Sequence, residues 1–314
     1  MFDIISLRCN MEITSQIIRE YLQVVSDTRS QKTHRTYAQA LRTFTAIVGD
    51  APLLTETYVR FLRKTKDMNP ATQAIYRSAI MGLYLYASKY MDVNVAALSQ
   101  AKRQYGQRRG YRLPTFNRTA IEKVILHCEA MRNGLAELRD RAFVLTLADT
   151  GLRISEACAL RRGDLDWNEG RAVIIGKGDK QAVVRFSDRS LVALKDYLRA
   201  RASLDGASGK PLTSLPLFAR HDKGAGVKIK GVKPGGMWKA IKERIKEAGE
   251  DPASVRIHDF RHYFVTIFYI GSGNLKATQE AARHSSSNTT AHYAHLASTE
   301  VDEIYDQVIN GRKP

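Results

Sequence analysis

Thr150-Gly151-Leu152-Arg153-Ile154-Ser155-Glu156 closes one helix and opens another. Residues 141–149, just before it, read as a mostly buried helix. Glycine turns a helix end at little conformational cost, so Thr150-Gly151 stops that helix. Arg153 then opens the next one. Helix starts carry unpaired N–H groups that favour anions, and a guanidinium there can hold two phosphate oxygens at once. The same arginine reads equally as an ion-pair partner of Glu156.

Downstream, residues 171–176 and 181–186 are β-branched runs around Lys177-Gly178-Asp179-Lys180, a hairpin signal. Glycines on both sides of Lys177 let that tip approach another backbone closely. A lysine so placed can donate a proton into a groove, or simply be a solvated hairpin tip. In His258-Asp259-Phe260-Arg261-His262, His258 and Arg261 are three apart and share one face of a helix over 258–270. Phe260, Phe264, Ile267 and Phe268 supply its buried side, and the polar pair alone reads as solvated or ion-paired.

The next constellation is Ala282-Arg283-His284-Ser285-Ser286-Ser287-Asn288-Thr289-Thr290-Ala291-His292-Tyr293. Tyr293 ends a Ser/Thr-rich segment and is flanked by His284, His292 and His295, whereas a packing tyrosine would have more apolar neighbours. A phenol with a pKa of about 10 is a weak nucleophile at neutral pH and needs a base or a strong positive field. Two arginines, two histidines and a tyrosine in this order point to chemistry on a phosphodiester.

Around these stretches the remaining elements fall into place. Thr119 is a candidate N-cap for a helix carrying Ile121, Val124, Ile125 and Cys128. Residues 203–209 and 224–236 read as loops, and 237–248 as a helix. Residues 301–309 read as a short amphipathic tail helix with Val301, Ile304, Tyr305 and Val308 on one side. Toward the N-terminus, residues 13–25, 32–48, a short segment around Tyr58, Phe61 and Leu62, and 72–90 carry helical apolar stripes that can bury one another. The expected fold is therefore two-domain: an all-α helical N-terminal domain over 1–100, a linker over 101–114, and a mixed α/β, mainly helical, C-terminal domain over 115–314 with a small antiparallel sheet and the tail helix. The linker holds Lys102, Arg103, Arg108, Arg109 and Arg112, no acidic residue, and two tyrosines. Such a segment suits a phosphate backbone as well as a solvated hinge.

Composition bounds the function. Among 314 residues, 49 are basic and 32 acidic, a net charge of +17 with pI near 9.8. That excess favours a polyanionic partner, most often nucleic acid. Apolar residues are 44% of the chain, enough for a real core. Cys9, Cys128 and Cys158 show no CxxC or Cys/His spacing, which argues against a zinc site and for a reducing compartment. No apolar run approaches the roughly 18 residues of a membrane span, and the N-terminus carries no signal-peptide pattern. A cytoplasmic protein without a membrane partner is expected.

The order and spacing of these residues resemble the tyrosine recombinases, the family of phage integrases and Xer-type recombinases. Gly151-Leu152-Arg153-Ile154-Ser155-Glu156 resembles its first-arginine motif, Gly176-Lys177-Gly178 its hairpin lysine, and His258-Asp259-Phe260-Arg261-His262 its His-x-x-Arg motif. His284-Ser285-Ser286, with Thr289-Thr290 and Tyr293, resembles its histidine-to-nucleophile segment. One departure is Ala282-Arg283, where the family usually has Leu-Gly; the extra charge either touches DNA or disturbs a tight turn.

The resemblance implies a clamp around double-stranded DNA, with a core-binding helical domain on one side and the catalytic domain on the other. It implies that Arg153 and Arg261 bind the non-bridging oxygens and that Tyr293 attacks phosphorus to give a 3′-phosphotyrosine. Lys177 would protonate the leaving 5′-oxygen, His258 would accept the tyrosine proton, and His284 would hydrogen-bond the phosphate. Lys102, Arg103, Arg108, Arg109, Arg112 and Lys180 would contact DNA. No cofactor or metal is implied: the phosphotyrosine keeps the bond energy, and the cations stand in for a metal's charge. Four protomers on two DNA sites would form the working tetramer. Two other readings use the same residues: a type IB topoisomerase, which reseals the same strand, and a non-catalytic DNA-binding regulator of the same fold.

Overall fold

The computed structural model describes residues 3–49, 51–105, 116–175, 181–222 and 229–283, with side chains from Thr14 onward. The chain divides into two compact units, Met1–Tyr111 and Arg112–Pro314.

The first unit is helical. It contains α1 (Asp3–Thr28), α2 (Gln31–Val48), α3 (Thr55–Lys64), α4 (Pro70–Ala87) and α5 (Val95–Gln104). Side-chain caps set several starts: Ser30 accepts from the Thr33 N–H, Asn69 from Ala71 and Asn94 from Ala97. Pro70 at the first position of α4 lacks an N–H that would have had no helical partner. The stripes predicted from spacing meet in an aromatic core. Phe44 lies edge-on to Phe61 at 5.4 Å and to Tyr84 at 6.2 Å between ring centroids. The Tyr84 hydroxyl, buried with its ring, donates to the Leu54 carbonyl at 3.0 Å.

Helix α5 lies partly where composition indicated a linker. Only Leu98 and Ala101 of its ten residues are buried, too few to show a period. Lys102 and Arg103 occupy its last turn, exposed, where positive charge suits the helix dipole. Helix α1 also reaches back to Asp3, through residues without a clear apolar pattern.

The second unit opens with α6 (Arg118–Ala130), α7 (Leu135–Thr150) and α8 (Ile154–Ala159). Asn117, not Thr119, caps α6, its side-chain Oδ1 accepting from the Ala120 N–H at 3.0 Å. Strands β1 (Leu165–Asp166), β2 (Arg171–Ile175) and β3 (Gln181–Arg185) follow as an antiparallel sheet in sequence order. Ala172, Ile174 and Val184 face the core while Val173, Ile175 and Val183 face outward, the period of two that the runs contain. Then come α9 (Asp188–Ala200), α10 (Ala202–Ala207), α11 (Pro234–Glu247), α12 (Asp259–Ser272) and α13 (Leu275–Ala282).

Two segments expected to be loops are helical in part. Residues 202–207 form α10, in which Asp205 is buried against Arg162 and Arg201. Helix α11 begins at Pro234, before its apolar period starts at Met237. Helix α7 is the centre of the unit, packed by α6, α9 and α12 and buried on nearly every side. Its buried Asp140 is held by Arg139 at 2.6 Å and Arg244 at 3.0 Å, which offsets the desolvation of a carboxylate. Among the described residues no helix is long and apolar enough to cross a membrane.

Candidate active site

Gly151 is the C-cap of α7, at φ 59° and ψ 22°. That left-handed conformation favours glycine, and space demands it too. A Cβ on Gly151 would lie 2.4 Å from a ring carbon of Phe264, on α12. The turn is thus pressed against α12, which also carries Arg261. Thr150 steadies the turn: its hydroxyl bonds the Thr146 carbonyl at 2.6 Å and accepts from the Leu152 N–H at 3.2 Å.

Arg261 is buried. Its Nη1 donates to the Gly151 carbonyl at 2.5 Å, and its Nη2 donates to the Ala282 carbonyl at the end of α13. One guanidinium therefore ties three segments together: the Gly151 turn, α12 and the C-terminus of α13. Charge-assisted bonds to two carbonyls fix its plane.

Arg153 is the N-cap of α8. Its backbone N–H donates to Oε2 of Glu156 at 2.9 Å and its Nη1 to Oε1 at 2.7 Å. The ion-pair partner read from the sequence is therefore present. The arginine side chain nevertheless stays 42% exposed while that of Glu156 is 8% exposed, so the pair presents the guanidinium and hides the carboxylate. Burial pushes the Glu156 carboxyl up. Hydrogen bonds from Arg153 and the charges of Arg153 and Arg283 outweigh it and hold the group below the usual carboxylate range.

His258 is the N-cap of α12, exposed on one side. Partial burial of the ring, then the positive charges of Arg261 and Arg153, hold its pKa below 6.5, against the opposing pull of Asp259. It is neutral at pH 7, the form that accepts a proton. The structure thus brings Arg153, His258 and Arg261 together around the Gly151 turn.

Arg283 was visible in the sequence only as a departure from Leu-Gly. It follows α13 at φ 55° and ψ 43°, and among the described residues no other non-glycine has positive φ. The tight turn is kept, and the charge folds inward. Nη2 lies 3.3 Å from the Gly151 carbonyl and 3.5 Å from Oε2 of Glu156, with the side chain 12% exposed.

The remaining candidates are placed less completely. Ile175 pairs with Gln181 and closes the expected hairpin, with Lys177 and Lys180 in the connection between them, outside the described residues. Arg108, Arg109, Arg112, His284, Tyr293 and the tail over 301–309 also lie outside the described residues. Lys102 and Arg103 belong to the first unit.

Residues 117–300 match the phage integrase family, 184 of the 314 residues. The chain belongs to that family. It is a site-specific tyrosine recombinase, a DNA strand-transferring enzyme. Tyrosine recombinase XerD of Corynebacterium glutamicum is 32% identical over 257 residues, covering 80% of each chain. Tyrosine recombinase XerC of Xanthomonas axonopodis pv. citri is 33% identical over 175 residues, covering 54% of this chain and 50% of that relative. The chain thus spans about half the length of the second relative and most of the first. In fold it is similar to the XerH site-specific recombinase solved on a palindromic difH substrate as a post-cleavage complex. That likeness has a TM-score of 0.69 at 24% identity, covering 93% of this chain and 84% of the other.

Proposed function

We propose that this recombinase cleaves and rejoins duplex DNA through a 3′-phosphotyrosyl intermediate formed by Tyr293. The convergence of Arg153, Arg261 and His258 on one turn supports this reading. Arg153 and Arg261 bind the non-bridging oxygens of the scissile phosphate and stabilise the charge that builds in the transition state. Their anchoring to Glu156 and to two backbone carbonyls means that little reorganisation is needed as that charge develops. His258, held neutral beside two guanidiniums, accepts the Tyr293 proton as the phenol oxygen attacks phosphorus. The leaving 5′-oxygen takes a proton from Lys177, and His284 hydrogen-bonds the phosphate. Rejoining is the reverse: a 5′-hydroxyl attacks the phosphotyrosine, and tyrosine leaves with its proton restored.

Lys102, Arg103, Arg108, Arg109, Arg112 and Lys180 contact the DNA backbone, consistent with the net charge of +17. The helical unit over 1–100 and the unit from 115 onward grip the duplex, joined by the basic segment over 101–114. Two protomers act on each of two DNA sites, giving a tetramer, in the cytoplasm and without a cofactor.

The test is covalent capture of nicked duplexes with a randomised core on the parent protein, followed by sequencing of the captured strand. The parent should yield a 3′-linked adduct on a defined sequence, and Tyr293→Phe should bind that duplex with unchanged affinity and form none. An adduct formed by Tyr293→Phe would remove the nucleophile assignment, and no adduct from the parent would remove the reading itself.

A further inference from the structure

Two guanidiniums share one carboxylate at the Gly151 turn, and a third is anchored to the turn's own carbonyl. Oε1 of Glu156 takes Nη1 of Arg153, while Oε2 takes the Arg153 backbone N–H and lies 3.5 Å from Nη2 of Arg283. The Gly151 carbonyl, which anchors Arg261, also takes Arg283 at 3.3 Å. Arg283 thus touches the anchors of both Arg153 and Arg261. It does so from a left-handed backbone position that an arginine rarely adopts, with its side chain 12% exposed. A long charged side chain kept in that conformation and turned inward is not a solvated surface group.

The arrangement also sets the local charge. Alone, the Glu156 carboxylate would cancel much of the positive field that Arg153 offers to a phosphate. Arg283 draws on the same carboxylate from its other oxygen. The cluster then carries three positive charges against one negative, a net of two, beside a transition state whose phosphoryl oxygens gain negative charge. Burial and the neighbouring Arg153 both lower the pKa of Arg283, while Glu156 raises it, which places its charge inside the cluster rather than in solvent.

We propose that Arg283 is a positioning residue for DNA cleavage, bracing the Gly151 turn and sharing Glu156 so that Arg153 and Arg261 meet the scissile phosphate in register and with net positive charge. The proposal rests on the assignment of Arg153 and Arg261 to the phosphate. It does not require Arg283 to touch DNA.

The experiment uses the full chain and the duplex recovered by covalent capture, measuring adduct formation at saturating protein alongside affinity and melting temperature. Arg283→Gly relieves the backbone and deletes the brace. It should keep its affinity and melting temperature within error while cleaving about tenfold more slowly or worse, the cost of misplaced catalytic groups. Arg283→Lys should recover part of the rate. In a cycle with Glu156→Gln, the loss caused by Arg283→Gly should shrink, because the charge that Arg283 offsets is already gone.

Parent-rate cleavage by Arg283→Gly overturns the proposal, as do strictly additive effects in the cycle. Equal losses in affinity and rate also overturn it, since Arg283 would then be a DNA contact. Arg153→Ala is measured in parallel. If it cleaves at the parent rate, the phosphate assignment fails and the proposal falls with it. If it is slow while Arg283→Gly is not, only the proposal falls.

Discussion

Replacing Gly151 with alanine tests the construction of the site at its narrowest point. Two independent costs apply. A non-glycine residue at φ 59° takes on left-handed strain of about 1–2 kcal/mol. The new Cβ would also lie 2.4 Å from Phe264, so the ring or the turn must move, an overpacking cost of about 1–3 kcal/mol. Together these give about 2–5 kcal/mol, or a fall in melting temperature on the order of 10 °C for a unit of this size. Gly209 supplies the calibration. It has φ 66° and nothing within 4 Å of a built Cβ, so Gly209→Ala should show the backbone cost alone.

The same substitution should reach the chemistry, because the Gly151 carbonyl receives both Arg261 and Arg283. A shift of the turn displaces two cations at once, and cleavage of the captured duplex should fall about 10²-fold. Adding Phe264→Leu should return the part of the stability loss due to the clash and leave the strain. A Gly151→Ala protein that melts within about 2 °C of the parent, or that loses no more than Gly209→Ala, would refute the account of this turn.

Arg153→Ala and Arg261→Ala should each slow adduct formation by roughly 10²-fold or more. Only Arg261→Ala should also destabilise, by about 1–3 kcal/mol, because it strips a donor from two carbonyls; equal melting temperatures for the two variants would contradict that distinction. Lys177→Ala should cleave ordinary DNA very slowly but a 5′-bridging phosphorothiolate at near the parent rate, since a thiolate leaves without a proton; rescue of Lys180→Ala alone would move the acid three residues along the hairpin. Acid should destabilise the second unit between about pH 6.5 and 4. Burial, then Arg139 and Arg201, hold His221 down to about 4 against an ordinary 6.5, so the unfolded chain binds more protons in that window and stability is lost as pH falls. His221→Asn should flatten that part of a melting-temperature profile, and an unchanged profile would assign the acid sensitivity elsewhere.

The Tyr197 hydroxyl already receives Arg201 Nη1 at 3.0 Å and the Ala219 N–H at 3.1 Å. Its own hydrogen is therefore directed to Nε2 of His221, 2.8 Å away, which must be unprotonated to accept it. Little of this was legible in the sequence, because Ala219 and His221 lie 22 and 24 residues from Tyr197 and only folding brings them together.

The site was legible where local rules governed it. Gly151 ends α7 and Arg153 begins α8 because a left-handed cap and an N-cap are set within a few residues. The sheet was legible because β2 and β3 are adjacent and alternate inward and outward. Misreadings came where tertiary packing outweighed composition. Helices α5 and α10 bury few of their residues and carry no apolar period, and their placement depends on a few buried anchors: Leu98 and Ala101 in the first, Asp205 in the second. Asn117 displaced Thr119 as a cap because the helix starts two residues earlier than its apolar stripe implies. Arg283 could be noticed as an oddity, but the direction of its side chain depends on where α13 meets the Gly151 turn.

The two arginines proposed to hold the phosphate are built in opposite ways. Arg261 is buried, its guanidinium held by two backbone carbonyls; moving it would cost both of them a charge-assisted donor and leave Gly151 only the longer contact to Arg283. Its position is therefore enforced by the fold itself. Arg153 is 42% exposed and is held by a side chain, Glu156, whose own position depends on α8 and on Arg283. A side-chain partner can rotate at far smaller cost than a backbone carbonyl can be abandoned. Any adjustment of the site when a phosphate enters should accordingly fall on Arg153 and Glu156, with Arg261 as the fixed point. A recombinase must cleave and then rejoin through the same cations, and a fixed arginine beside an adjustable one lets the phosphate be gripped in both directions without unfolding the turn between them.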